Sequence, residues 1–146
     1  MNRYTRKPTR AFSLIELMIA IVILAVLAAV VIPRFVDHGR RGREAGLKHD
    51  LSQMRTVIAT YQADTGYYPK LLTDLSATAA PSQGYDSTGA LCTIAPQNWH
   101  GPYIGSVPND PISGIPFSYT VTAPNIGNVA ASATGNDLLG VAFSTY

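Results

Sequence analysis

One carboxylate stands inside a stretch of chain that otherwise belongs in a lipid bilayer. Glu16 follows Arg10-Ala11-Phe12-Ser13-Leu14-Ile15, and from Leu17 the residues are apolar without a break to Ile32. At the centre of a membrane helix such a charge costs roughly 2.5–3.5 kcal/mol on insertion scales. A residue that costly calls for a partner, and the nearest available positive charge is one made by cutting the chain. Cleavage after Ala11 gives Phe12 a free ammonium, able to pair with Glu16 of a neighbouring copy. The pattern implies a chain that is processed, anchored and then polymerised.

A basic stretch before an apolar run also describes a secretory signal peptide, which would be cut after the run, near Ala25-Val26-Leu27-Ala28-Ala29. Two features oppose that reading. A signal peptide has no use for a charge at Glu16, and the apolar character continues through Val30, Val31 and Ile32 into a helical stem. Residues 12–32 make about 31 Å of helix, which just spans a hydrocarbon core of roughly 30 Å.

The sequence is 146 residues long, enough for one anchored helix and one small domain. Its formal net charge of +2 hides a basic stem and an acidic head. Arg3, Arg6, Lys7 and Arg10 precede the apolar run, and Arg34, Arg40, Arg41, Arg43 and Lys48 follow it. After Arg55 the only base is Lys70, against Asp64, Asp74, Asp86, Asp110 and Asp137. The basic stem suits anionic lipid or acidic neighbouring subunits. Without a basic face interleaved with aromatics, no direct nucleic-acid partner is expected. The single cysteine, Cys92, has no partner for an internal disulfide and reads as a small, half-buried apolar residue.

The segment from Arg10 to Leu17 resembles a class III prepilin signal, the entry tag of type IV pilins and type II secretion pseudopilins. The family pattern is a short basic leader, Gly, then Phe-Thr-Leu-Ile-Glu; this chain has Ala11 in place of Gly and Ser13 in place of Thr. The resemblance implies cleavage between Ala11 and Phe12 by a prepilin peptidase/methyltransferase, then N-methylation of Phe12. It places Glu16 where the family forms its subunit-to-subunit ion pair, and Pro33 where the family often kinks its helix. Orientation, with the leader in the cytoplasm, also rests on the resemblance, because both flanks of the run are basic.

Past Pro33 the helix is expected to resume. Leu47, Leu51, Met54, Ile58 and Tyr61 recur at spacings of four and three, one apolar stripe suited to a sheet or to neighbouring helices. Gly39, Gly42 and Gly46 interrupt it, each costing a helix about 1 kcal/mol relative to Ala. With Pro33 they mark either a compliant stretch or a place of close helix packing. The helix should end at Thr65-Gly66, with Asp64 placed to brace the turn. Residues 79–89 read as a surface loop, and 117–121, 127–133 and 138–144 as short strands. The chain thus divides into a leader at 1–11, a transmembrane assembly helix at 12–33, an amphipathic helical stem at 34–66 and a globular head at 67–146. The fold class is α+β, pilin-like, with a long N-terminal helix packed on a three- to four-stranded antiparallel sheet.

Three further segments narrow the resemblance to the major pseudopilins of type II secretion. Tyr61-Gln62-Ala63-Asp64-Thr65-Gly66-Tyr67-Tyr68-Pro69 is similar to their Tyr-x-x-Asp-x-Gly-x-Tyr-Pro signature. Asn98-Trp99-His100-Gly101-Pro102-Tyr103-Ile104 is similar to their Trp-x-Gly-Pro-Tyr-Leu segment. The third runs from Val107 through Pro108, Asp110, Pro111 and Pro116 to Tyr119. The resemblance implies a structural subunit of a short filament that starts at the bacterial cytoplasmic (inner) membrane, single-pass, with its head on the periplasmic or extracellular side. Its implied partners are copies of itself, an inner-membrane assembly platform and minor pilins. The alternatives are a type IV pilus major or minor pilin, or, in another class, a membrane-anchored binding module that never polymerises.

The resemblance fades after Tyr119. The family carries several acidic residues in its last loop that bind calcium; here Asn136 and Asp137 are the nearby candidates, with Asp110 a third. One Asp plus carbonyls makes a poor site for an ion that prefers six to eight oxygens. No cofactor is expected beyond that weak calcium candidate. Catalysis has no supporting constellation: His38, His49 and His100 read as surface residues, and no nucleophile motif or P-loop accompanies them.

Overall fold

The computed structural model describes residues 12–146, with the backbone alone over 33–37. Ala11 and the rest of the expected leader lie outside the described residues. One helix, α1 (Leu14–Thr65), is continuous through Pro33, Gly39, Gly42 and Gly46. The chain falls into two compact units, one up to Gly39 and the other Arg40–Tyr146.

In the second unit the apolar stripe does what its period dictates. Leu47, Leu51, Met54, Ile58 and Tyr61 are all buried, none more than 3% exposed. Each such side chain contributes about 1.5–3 kcal/mol on leaving water. Against them pack Leu72, Leu75, Ile94, Phe117, Val129 and Phe143. The ring of Tyr103 meets Tyr61 edge-on at 5.3 Å and Trp99 at 6.3 Å, so the Trp-x-Gly-Pro-Tyr-like segment is a packing unit.

Helix α1 stops where Gly66 takes φ +78°, a conformation glycine adopts without a Cβ penalty. The brace at this turn is Thr65, whereas the sequence suggested Asp64. The Thr65 hydroxyl donates to Tyr61 O at 2.8 Å and accepts the Tyr67 N–H at 3.2 Å. Asp64 instead lies 3.6 Å from His100 Nδ1. After the turn come β1 (Tyr68–Pro69), β2 (Gln83–Tyr85) and β3 (Leu91–Thr93), an antiparallel sheet in that order. Then β4 (Ser118–Tyr119) pairs antiparallel with β5 (Val129–Ala130). The Tyr119 hydroxyl ties the two sheets by donating to Pro69 O at 2.8 Å.

The α+β class therefore stands, with a redistribution of strands. Part of the stretch read as loop, 79–89, forms β2, while 138–144 forms no strand. The reason lies in Asp137, whose carboxylate takes the N–H groups of Leu139 and Val141 that a neighbouring strand would otherwise need. Only the isolated bridge Asn136–Ala142 remains there.

Candidate functional site

The first candidate site is the N-terminal helix. Ser13 O starts α1 by accepting the N–H groups of Glu16 and Leu17 at 3.0 and 3.2 Å. Glu16 thus sits in the first turn, where the partial positive charge of the helix end favours a carboxylate. Beyond it, Leu14–Ile32 is long and apolar enough to cross a membrane, with mean hydropathy 3.1 and none of it buried within the chain. Phe12 is 81% exposed, and the large apolar side chains out to Ile32 are exposed all round the helix. A helix apolar on every side is stable only when lipid or other helices cover it. Phe12 and Glu16 are both described and both exposed. Ala11 and the side chain of Pro33 are not among the described features, so cleavage and kinking stay expectations from sequence.

The second candidate site is the cluster of weak calcium ligands. Asp110 is fully buried and held by backbone alone. Its Oδ1 accepts Ile112 N–H at 2.8 Å and Ser113 N–H at 3.2 Å; its Oδ2 accepts Ser132 and Ala133 N–H at 3.0 and 2.8 Å. Burial by itself pushes its pKa up, but the four N–H donors more than offset that and leave it below the ordinary carboxylate value. This carboxylate pins the turn after Asn109 to the chain following β5, a structural role.

Asp137 is held differently. Its Oδ2 accepts the Tyr146 hydroxyl at 2.5 Å and lies 3.7 Å from Lys48 Nζ; its Oδ1 accepts Leu139 and Val141 N–H, both at 2.8 Å. The Tyr146 hydroxyl, with these N–H groups and the Lys48 charge, lowers its pKa. Asn136 offers its carbonyl to Arg40 Nη2 at 2.6 Å. A calcium ion needs oxygens turned toward it, yet the groups facing these carboxylates are N–H, O–H and ammonium donors. The donor set does not fit the ion. Among the described residues no group of three or more His, Cys, Asp or Glu is placed to hold a metal.

Glu44, Lys48 and Tyr146 escaped the sequence reading. Glu44 and Lys48 have their loop partners far along the chain, 94 positions for Glu44 to Leu138, while Tyr146 bonds Asp137 nine positions before it. The available signal was the run Arg40, Glu44, Lys48 at spacings of four, which sets charges of alternating sign on one helix face. His38, His49 and His100 are exposed and Cys92 is half-buried.

Two family models match the chain. The prokaryotic N-terminal methylation motif covers residues 6–32, and the type II secretion system protein G model covers residues 34–139. Among curated relatives, a type II secretion system core protein G from Pseudomonas aeruginosa is 29% identical over 115 residues, covering 78% of this chain and 75% of the relative. One of the same name from Klebsiella michiganensis is 24% identical over 136 residues, covering 90% and 87%. The type IV major fimbrial protein FimA of Dichelobacter nodosus is 30% identical over 131 residues, covering 84% and 70%. No solved structure gives a significant match.

Proposed function

This chain belongs to the family of protein G of the type II secretion system, and on that premise we propose that its filament is held together at the N-terminal helix by an ion pair between subunits. As a member of that family it is a pseudopilin, a structural subunit of a pseudopilus, with an apolar N-terminal helix of the membrane-anchoring kind. On our reading a prepilin peptidase cuts between Ala11 and Phe12 and methylates Phe12. The mature subunit waits in the inner membrane with its head on the far side from the cytoplasm. It leaves the bilayer when its Phe12 ammonium meets Glu16 of the adjacent copy, on an assembly platform and beside minor pilins. The work is mechanical, in keeping with a family of structural subunits.

The observation that carries this reading is an exposed apolar helix bearing one carboxylate in its first turn. A plain anchor is better without Glu16; a polymer needs it to compensate a buried ammonium. Left unpaired in a low-dielectric bundle, that ammonium destabilises each contact by roughly 3–5 kcal/mol. Glu16→Ala and Glu16→Gln should therefore insert normally and fail to form filaments. Membrane fractionation and electron microscopy of sheared filaments read the two outcomes separately. Normal filaments from Glu16→Ala would overturn the ion pair. A native chain that never polymerises when the whole assembly machinery is present would favour the anchored binding module. The likeness to a fimbrial protein over most of the chain supports a second reading, a type IV pilus subunit, which the length of the native filament tests.

A further inference from the structure

Three charged residues spaced four apart on α1 each reach the same loop. Arg40 Nη2 donates to Asn136 O at 2.6 Å, Glu44 Oε1 accepts the Leu138 N–H at 3.0 Å, and Lys48 Nζ lies 3.7 Å from Asp137 Oδ2. The spacing puts the three on one helix face. They also support one another, since Arg40 Nε donates to Glu44 Oε1 at 3.1 Å. Lys48 lies 4.6 Å from the centre of the Tyr146 ring, within cation–π range. The ring of Tyr146 in turn meets that of Phe143, a core residue, at 6.3 Å.

Asp137 is the centre of this arrangement. Its side chain is 1% exposed, and a buried carboxylate must be compensated by charge and by hydrogen bonds. Lys48 supplies the charge. Tyr146 and the amides of Leu139 and Val141 supply the hydrogen bonds. A divalent cation in the same place would meet an ammonium and donor hydrogens, which repel it, where it needs several more oxygens. The loop exposes Leu139, Leu138 and Val141 and buries Phe143, so apolar contact holds its far end and the polar contacts hold the stretch before it.

We propose that Arg40, Glu44 and Lys48 latch the loop at 136–146 to the stem without a metal ion, with Lys48 and the Tyr146 hydroxyl filling the role a bound calcium has in the pseudopilins this sequence resembles. The latch makes the head indifferent to calcium and dependent on one lysine and one phenol.

The test uses the full chain in detergent micelles, with Lys48→Gln, Lys48→Arg and Tyr146→Phe beside it. Thermal melting is followed with calcium added or with a chelator. Amide hydrogen exchange is followed at Leu139 and Val141, whose N–H groups bind Asp137. Lys48→Gln should lower Tm by about 5 °C or more, and Lys48→Arg should restore most of the loss by keeping the charge. Tyr146→Phe leaves the ring in place and removes only the hydroxyl, so it decides the matter even if Lys48→Gln does not fold. It should speed exchange at both amides by about tenfold or more through local opening. The chelator should move the wild-type Tm by less than about 2 °C. A chelator-induced fall that calcium reverses would overturn the proposal. So would unchanged exchange at Leu139 and Val141 in Tyr146→Phe.

Discussion

Removing the Asp110 carboxylate should come close to unfolding the head. Four backbone N–H groups point at its two oxygens. Those of Ile112 and Ser113 lie in a turn that is partly open, and water can take over there. Those of Ser132 and Ala133 lie in the chain after β5, where Ala133 is buried. A buried donor left without a partner costs about 1–3 kcal/mol. The buried donor of Ala133 and the half-buried donor of Ser132 set the loss in Asp110→Ala at roughly 2–6 kcal/mol, centred near 4, before any contribution from the turn. Small domains have only about 5–15 kcal/mol in all. A fragment of residues 35–146 is suited to the measurement, because every member of the core cluster lies at or beyond Leu47. With a urea dependence of about 2 kcal/mol per molar, the midpoint should fall by about 2 M. Asp110→Asn should fall between wild type and Ala, because one oxygen remains to accept while the amide NH2 confronts the other donors. A midpoint for Asp110→Ala within about 0.5 M of wild type, at unchanged slope, would refute the claim that this carboxylate ties the head together.

Intact mass of the membrane-extracted protein should correspond to loss of residues 1–11 and addition of one methyl group at Phe12; a mature N-terminus near Ala29 would return the segment to the class of removed signal peptides. The 35–146 fragment should be soluble and monomeric by light scattering, since the exposed apolar helix is gone; stable filaments from it would contradict assembly through the N-terminal helix. Acid should loosen the head. Asp110, Asp137 and Asp86 all have lowered pKa values in the fold. Their stabilisation is therefore complete above the unfolded carboxylate value of about 3.9 and is lost as pH falls through the lower folded values. Equal melting temperatures at pH 6 and pH 2 would contradict that assignment.

The parts of the molecule that the sequence revealed are those where chemistry repeats along the chain or is costly at one position. Leu47, Leu51, Met54, Ile58 and Tyr61 could be read because helix geometry maps a spacing of 3.6 directly onto burial. Glu16 could be singled out because a charge in an apolar run is costly, and it lies exposed in the first turn of α1. The sheet was harder. Its strands have only two or three residues, too short for alternation to register, and β2 centres on a buried glycine, Gly84. The segment at 138–144 has the apolar content of a strand, yet its backbone donors go to a side chain. Asp137 was singled out as a metal candidate by its place in the last loop, where the resembled family carries calcium-binding acidic residues. What decides its role is Lys48 on the stem and Tyr146 after it, and no local pattern joins those three.

The latch also bears on the helix that carries it. Gly39, Gly42 and Gly46 each weaken a helix by about 1 kcal/mol relative to Ala. Nothing within 4 Å of Gly39 or Gly42, among the described residues, requires the missing Cβ. Packing among the described residues therefore does not account for those two glycines. Left alone, the turns from Gly39 to Gly46 would be the part of the stem readiest to unwind. Arg40 and Glu44 fall in those turns and Lys48 directly after, and all three contact the loop at 136–146. Unwinding there breaks the latch, so the two events share one free energy. The latch thus holds a weak stretch of helix in register with the head, and the stem counts with the head from Arg40 onward. Under load, unwinding of the turns from Gly39 to Gly46 should therefore be opposed from the first residue of the latch, Arg40, onward.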